Sequence, residues 1–276
     1  MPAIRRILSL LLLLCAAALS ARAATWTTID VPGAPDTAVN GINNAGDMVG
    51  IYGDPNGYHG FLLSGGMFTT FDMPGAKQTN PVAINSSGQI SGWYVSTDGN
   101  QHGFFFNGQS FTSIDFPGAT DTLANGINDS GEIVGAYTDT IARHGFKWIN
   151  GSFTTIDVGI KENTFIYGIN NRGQVVGINE NRHGEFRDFV LSADGQVRTF
   201  NFSYVPFAIN DKRIVVGGWP PSGNLGFRFN LKTKRFTKML FPGTNFTVCT
   251  GINDAGQIVG GYQDAQSNSH GFLWTK

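Results

Sequence analysis

Short apolar runs separated by polar, glycine-rich breaks fill the chain from residue 24 onward. The runs are four to seven residues long and rich in Val, Ile, Phe, Tyr and Thr, with Gly, Asn and Asp between them. Runs of this kind are strands joined by hairpins. Some alternate residue by residue: Phe146 and Trp148 stand either side of Lys147, and Phe227 and Phe229 either side of Arg228. A period of two marks a strand with one face buried.

The runs also recur as a set. The pair Ile-Asn appears with Asn43, Asn85, Asn128, Asn170, Asn210 and Asn253, at steps of 42, 43, 42, 40 and 43 residues. After each Asn comes a short turn (NNAG, NSSG, NDSG, NNRG, NDAG), clipped in the fifth copy to NDKR. An apolar run such as MVGIY or IVGAY follows, then a polar loop, then GFLL, GFFF, GFKW, DFVL, GFRF or GFLW. A last element such as FTTFDMPG or FTTIDVG closes the copy. Asn bonds its own backbone two residues on and Gly takes positive φ at no steric cost, so Asn-x-x-Gly is a turn. A Gly or Ala precedes every Ile-Asn (Gly41, Ala83, Gly126, Gly168, Ala208, Gly251). That fits a strand that approaches its neighbours closely.

Four strands per repeat of about 42 residues point to radial repetition. The sixth copy stops at GFLWTK, without its fourth strand. The missing strand stands at the other end of the chain, where Trp26 to Gly33 (WTTIDVPG) matches Phe153 to Val158 (FTTIDV). The sequence therefore predicts an all-β fold: a six-bladed β-propeller with four strands per blade, its last blade closed by the N-terminal strand. Residues 24–276 form the single domain. Closure removes open sheet edges. An open β-solenoid competes with it, but gives no reason to divide one unit between the two termini.

The wording GIN-x-x-G-x-V-G, with His-Gly-Phe about 16 residues later, resembles the bacterial exported extracellular repeat family called HAF. The resemblance spans residues 24–276. His59, His102, His144 and His270 each open a Gly-Phe pair in register. The chain departs from the family by writing Gly where the signature has Ala. It departs again in the fourth copy (Arg187-Asp188-Phe189) and in the fifth (Leu225-Gly226-Phe227). The resemblance implies an exported or envelope protein and carries no established activity.

Residues 1–23 read as a signal peptide: two arginines before Ile7, an apolar stretch from Ile7 to Ser20, and Ala21-Arg22-Ala23 before a cut at Ala24. The stretch is short of the roughly 20 residues a spanning helix needs. Leu14 before Cys15 does not suit a lipoprotein. The expected location is secreted, periplasmic or at the cell surface. The remaining chain keeps one cysteine, Cys249, so no internal disulfide forms and the core must hold the fold. Charge is lopsided. Residues 24–139 hold 11 acids and only Lys77, a net of −10; residues 140–240 hold 14 bases and 7 acids, a net of +7. No basic run is interleaved with aromatics, so nucleic acid is not an expected partner.

Four histidines, His59, His102, His144 and His270, fill one slot at the start of the third strand. A slot filled once per blade is read as structural rather than as a metal ring. Asp54, Asp98, Asp139 and Asp264 fall in the loops between second and third strands. Asp36, Asp121 and Glu162 fall in the connections between blades. Both loop sets leave the same face of a propeller, so these acids, with Trp219, mark the candidate ligand face. No calcium-loop string or hydrolase motif is present, so no cofactor is expected; calcium held by loop oxygens is the weaker alternative. The functional expectation is a monomeric binding module for a glycan or protein, anionic where it meets the basic blades. The alternative is a carbohydrate-active hydrolase or lyase using top-face carboxylates. The discriminator is where the blades differ: binding modules often repeat their site in each blade, whereas an enzyme needs unique residues grouped at the axis.

Overall fold

The computed structural model describes residues 23–159, 163–200, 204–218 and 224–276. The expected signal peptide, apart from Ala23, lies outside them. Twenty-four antiparallel strands form six four-stranded sheets. The strand β1 (Thr25–Ile29) comes first. Blade one is β2 (Thr37–Ile42), β3 (Met48–Asp54), β4 (Gly57–Ser64) and β5 (Met67–Thr70). Blade two is β6 (Gln78–Ile84), β7 (Ile90–Val95), β8 (Gln101–Phe106) and β9 (Phe111–Ile114). Blade three is β10 (Asp121–Ile127), β11 (Ile133–Thr138), β12 (Arg143–Ile149) and β13 (Ser152–Ile156). Blade four is β14 (Asn163–Ile169), β15 (Val175–Glu180), β16 (Phe186–Leu191) and β17 (Val197–Phe200). Blade five is β18 (Val205–Ile209), β19 (Ile214–Gly218), β20 (Gly226–Asn230) and β21 (Arg235–Met239). Blade six is β22 (Phe246–Ile252), β23 (Ile258–Gln263) and β24 (Ser269–Thr275), with β1 as its outer strand. The fold is the predicted six-bladed propeller. No helix among the described residues is long and apolar enough to cross a membrane.

The seam between the termini has the expected register. Trp26 pairs with Trp274, Thr28 with Phe272 and Ile29 with Gly271. Trp26 also packs edge-on against Phe241 of blade five, with ring centroids 5.5 Å apart. The N-terminal strand thus holds blade six to its neighbour as well as completing its ladder.

Two letters of the repeat explain the core. The Phe of each Gly-Phe or Asp-Phe pair is fully buried: Phe61, Phe104, Phe146, Phe189, Phe227 and Phe272. Its cross-strand partner is always a Gly within the second-strand apolar run: Gly50, Gly92, Gly135, Gly177, Gly217 and Gly260. The aromatic ring lies over the glycine. A Cβ on Gly135 would sit 2.9 Å from the Phe146 ring and 1.8 Å from the Leu123 carbonyl oxygen, so no larger residue fits. The small residue before Ile-Asn has the other close approach. A Cβ on Gly168 would lie 2.7 Å from the Phe207 carbonyl of the next inner strand.

The Asn of each Ile-Asn does more than make its turn. Asn43 Oδ1 accepts the N–H groups of Ala45 and Asp47, as a turn requires. Its Nδ2 donates to the carbonyl of Asn85, one blade on. Asn85 donates to Asn128, Asn128 to Asn170, Asn170 to Asn210, Asn210 to Asn253, and Asn253 back to Asn43. The six bonds, 2.9–3.5 Å long, close a ring around the axis. A second, open series of five bonds runs beside it. The N–H groups of Ser86, Asp129, Asn171, Asp211 and Asp254 donate to side chains of Asp129, Asn171, Asp211, Asp254 and Asn44 in the adjoining blade. The six asparagines of the first ring are buried, where an unmet polar group costs about 1–3 kcal/mol.

The histidine slot clamps the third strand to the fourth. His59 Nδ1 lies 2.7 Å from Asp72 Oδ2, and His270 Nδ1 2.8 Å from Asp30 Oδ2 across the seam. His102 and His144 meet Asp115 and Asp157 in the same way. Each ring packs against a second-strand tyrosine: Tyr52, Tyr94, Tyr137 or Tyr262. The hydrogen bond to Asp72 raises the pKa of His59. Burial works against protonation of His270, but its bonds to Asp30 and Asp264 outweigh it and the pKa is raised. Hydrogen bonds to turn N–H groups lower the pKa of Asp54 and Asp139, and those from Ser96 and Asn100 lower that of Asp98. Asp264, bonded chiefly by the Asn268 side chain, falls to about 2.

Three outcomes are expected. Residues 37–276, lacking β1, should aggregate or unfold at lower temperature than residues 24–276; an unchanged melting temperature in a monodisperse sample would contradict the seam. Ser91, fully buried, stands where the other blades place Val49, Val134, Val176, Val216 and Val259, and its hydroxyl has no hydrogen-bond partner among the described residues. Ser91→Val should therefore stabilise by about 1–2 kcal/mol in urea unfolding, since it removes an unmet buried polar group. The third concerns pH. The raised histidine pKa values give stability that is complete below about pH 6.5 and lost as pH rises through the folded values. The lowered aspartate values give stability that is complete above about pH 4 and lost as pH falls through the folded values. Melting temperature should peak between these limits, and His59→Gln with His270→Gln should flatten its alkaline fall.

Candidate functional site

Each inner strand carries a β-bulge at one place. Pairing skips Asn40, Val82, Asn125, Tyr167, Phe207 and Thr250. A bulge re-aims the side chain it frees, and these residues line an axial cavity of about 490 Å³. Asn80, Leu123 and Phe165 stand two residues earlier on their strands and line it too, with Trp93 from β7 and Arg143 from β12. Below them Ile42, Ile84, Ile127, Ile169, Ile209 and Ile252 form a nearly buried apolar ring. The same ring roofs the small funnel inside the asparagine turns. The cavity is therefore a well opening on the loop face, floored by isoleucine.

The well has two unlike sides. Blades one to three supply the amides. Asn40 Nδ2 donates to Asn80 Oδ1 (2.7 Å) and to the Pro81 carbonyl (2.9 Å). Asn125 Nδ2 donates to the Ile166 carbonyl (2.8 Å). The Oδ1 atoms of Asn40 and Asn125 keep no partner among the described residues. Blades four and five supply the aromatic wall: Phe165, Tyr167 and Phe207, with Tyr167 and Phe207 edge to face at 5.3 Å. Burial pushes the Tyr167 phenol up to about 12, against the opposing charge of Arg143, so it is a hydrogen-bond donor at neutral pH. The Arg143 guanidinium lies over the Phe165 ring, 5.3 Å from its centroid. Arg143 is the one charged side chain among the well's described lining.

The described acids of the expected ligand face, Asp36, Asp54, Asp98, Asp121, Asp139 and Asp264, lie in or beside loops between strands and do not line the well. Asp54 binds the N–H groups of Asn56 and Gly57 and reaches His59. Asp139 does the same with Ile141, Ala142 and His144, and Asp264 with Gln266, Asn268 and His270. Asp98 holds Ser96 and Asn100. Each of these four closes a turn in its own blade. Asp36 and Asp121 link blades, accepting from the N–H groups of Ser269 and Gln101. Glu162 and Trp219 lie outside the described residues. No group of three or more His, Cys, Asp or Glu among the described residues is placed to hold a metal ion. The signal for the well was the bulge position itself: within an otherwise repetitive strand, the six copies read Asn, Val, Asn, Tyr, Phe and Thr.

No family model matches the chain, and no curated protein matches it. Solved structures do. A putative TolB from Agrobacterium tumefaciens superposes with a TM-score of 0.58 at 10% identity, over 87% of this chain and 90% of that one. A putative gluconolactonase gives 0.55 at 12%, over 91% and 92%. The Aleuria aurantia lectin in complex with alpha-methyl-L-fucoside gives 0.54 at 12%, over 86% and 92%. At such identities the likeness is one of fold, and the fold it shows is the β-propeller.

Proposed function

We propose that the chain is an exported binding module whose ligand site is the axial well, and that the ligand is a glycan end of one or two sugar units. The observation that carries this reading is the division of the well into an amide side and an aromatic side. A sugar hydroxyl both donates and accepts, and an asparagine amide offers a donor and an acceptor in one plane. The C–H face of a pyranose packs on aromatic rings. A cavity of about 490 Å³ lies in the size range of small-ligand sites. The fucoside held by the Aleuria aurantia lectin supports a glycan on this fold and nothing finer. The leader-like residues 1–23 support export. The hydrolase reading has less support: the described lining holds no carboxylate, so paired-acid hydrolysis has no pair there.

The test is a glycan array followed by calorimetry on residues 24–276. Asn125→Ala and Tyr167→Phe should each weaken the best glycan up to about tenfold, the worth of one or two hydrogen bonds. Bound sugar should change the fluorescence of Trp93. Unchanged affinity in an Asn125→Ala, Phe207→Ala double variant that melts normally would place binding elsewhere.

A further inference from the structure

Resting on the glycan reading, we infer that the well takes an acidic sugar, a uronic acid or its like, with the sugar carboxylate paired to Arg143. Arg143 opens β12, at the rim of the well. Its place in the other blades is taken by Tyr58, Gln101, Phe186, Asn224 and Ser269, so one blade alone brings a cation there. The side chain is fixed. Its backbone N–H donates to Asn163 Oδ1 (2.9 Å), and its Nε donates to Thr138 Oγ1 (3.0 Å). The Phe165 ring supports the guanidinium plane. The two terminal nitrogens have no hydrogen-bond or ion-pair partner among the described residues. A planar guanidinium with both terminal nitrogens open matches a carboxylate in bidentate fashion.

The surroundings narrow the ligand further. A cation in a partly desolvated, aromatic-walled cavity whose described lining holds no carboxylate favours an anion over a neutral guest. One arginine and no second cation in the described lining suits a single negative charge better than a phosphate dianion. A bare carboxylate would leave the Oδ1 acceptors of Asn40 and Asn125 and the Tyr167 hydroxyl unmet. A ring bearing both a carboxylate and hydroxyls answers all of them. The carboxylate belongs at the rim by blade three, with the ring's C–H face on Phe165 and Tyr167.

Calorimetry on residues 24–276 with D-galacturonate and D-glucuronate, against D-galactose and D-glucose at equal pH and salt, tests the inference. The acids should bind at least about tenfold more tightly, and added salt should narrow the gap. Arg143→Gln should abolish the preference while neutral sugars keep their affinity, and Arg143→Lys should restore part of it. The wild-type comparison stands even where a variant folds poorly. Equal affinity for acid and neutral sugars, or a preference that survives Arg143→Gln, overturns the acidic-sugar inference and leaves the glycan reading intact. Binding of benzoate with no sugar bound overturns the glycan reading as well. No change in heat or Trp93 fluorescence with any of these probes overturns both.

Discussion

The hydrogen bond from one asparagine amide to the carbonyl of the next blade's asparagine is the interaction on which this molecule depends. Each bond alone contributes about 1 kcal/mol net. Its importance is directional. The donor of every blade has its acceptor in the next, so the ring is satisfied only when six blades are present and the sixth meets the first. The same side chain shapes the hairpin behind it, which couples a local turn to the global closure. The neighbouring series of five backbone N–H bonds to Asp and Asn side chains runs one residue later and includes the step from blade six to blade one.

That constraint determines where the molecule is free to vary. The small Gly or Ala at the close approach, isoleucine in the floor and asparagine in the ring are held by contacts with adjacent blades. The bulge residue just before them pairs with no strand partner and points to the axis. It is the inner-strand position that can change from blade to blade without disturbing the ladder. The bulge amides therefore stand on one arc and the bulge aromatics, Tyr167 and Phe207, on the other, without disturbing the framework. The acidic loops vary too, but their carboxylates are spent on turns and on histidine clamps. The departures in blades four and five follow the same division. Tyr167 and Phe207, the bulge residues of those blades, form the aromatic wall of the well.

Much of this was legible in the chain. Period-two runs, an Ile-Asn recurring at steps of 40–43 residues, and a strand displaced to the far terminus lead to a closed six-bladed ring. The small residue before Ile-Asn is rightly read as a close approach. The site was harder to see. Asp54 and Asn40 are both polar residues near loops, and nothing in composition separates a carboxylate that closes a turn from an amide that faces a cavity. The difference lies in the bulge, which shifts register by one residue and turns Asn40 toward the axis. Bulges leave no spacing mark when every copy has one. Two of the marked residues, Glu162 and Trp219, fall outside the described residues and add nothing to either side.

The strand that seals the ring has a kinetic side. Thr25 and Thr275 are neighbours in space and 250 residues apart in sequence. Contacts of such separation form late, because a long loop must close before they contribute. Until then one edge of β24 is unpaired, with Phe272 and Trp274 along it. The strand made before the other twenty-three is among the last to find its place. A chain built this way gains if a holdase or an export channel keeps its early blades apart until the last one arrives.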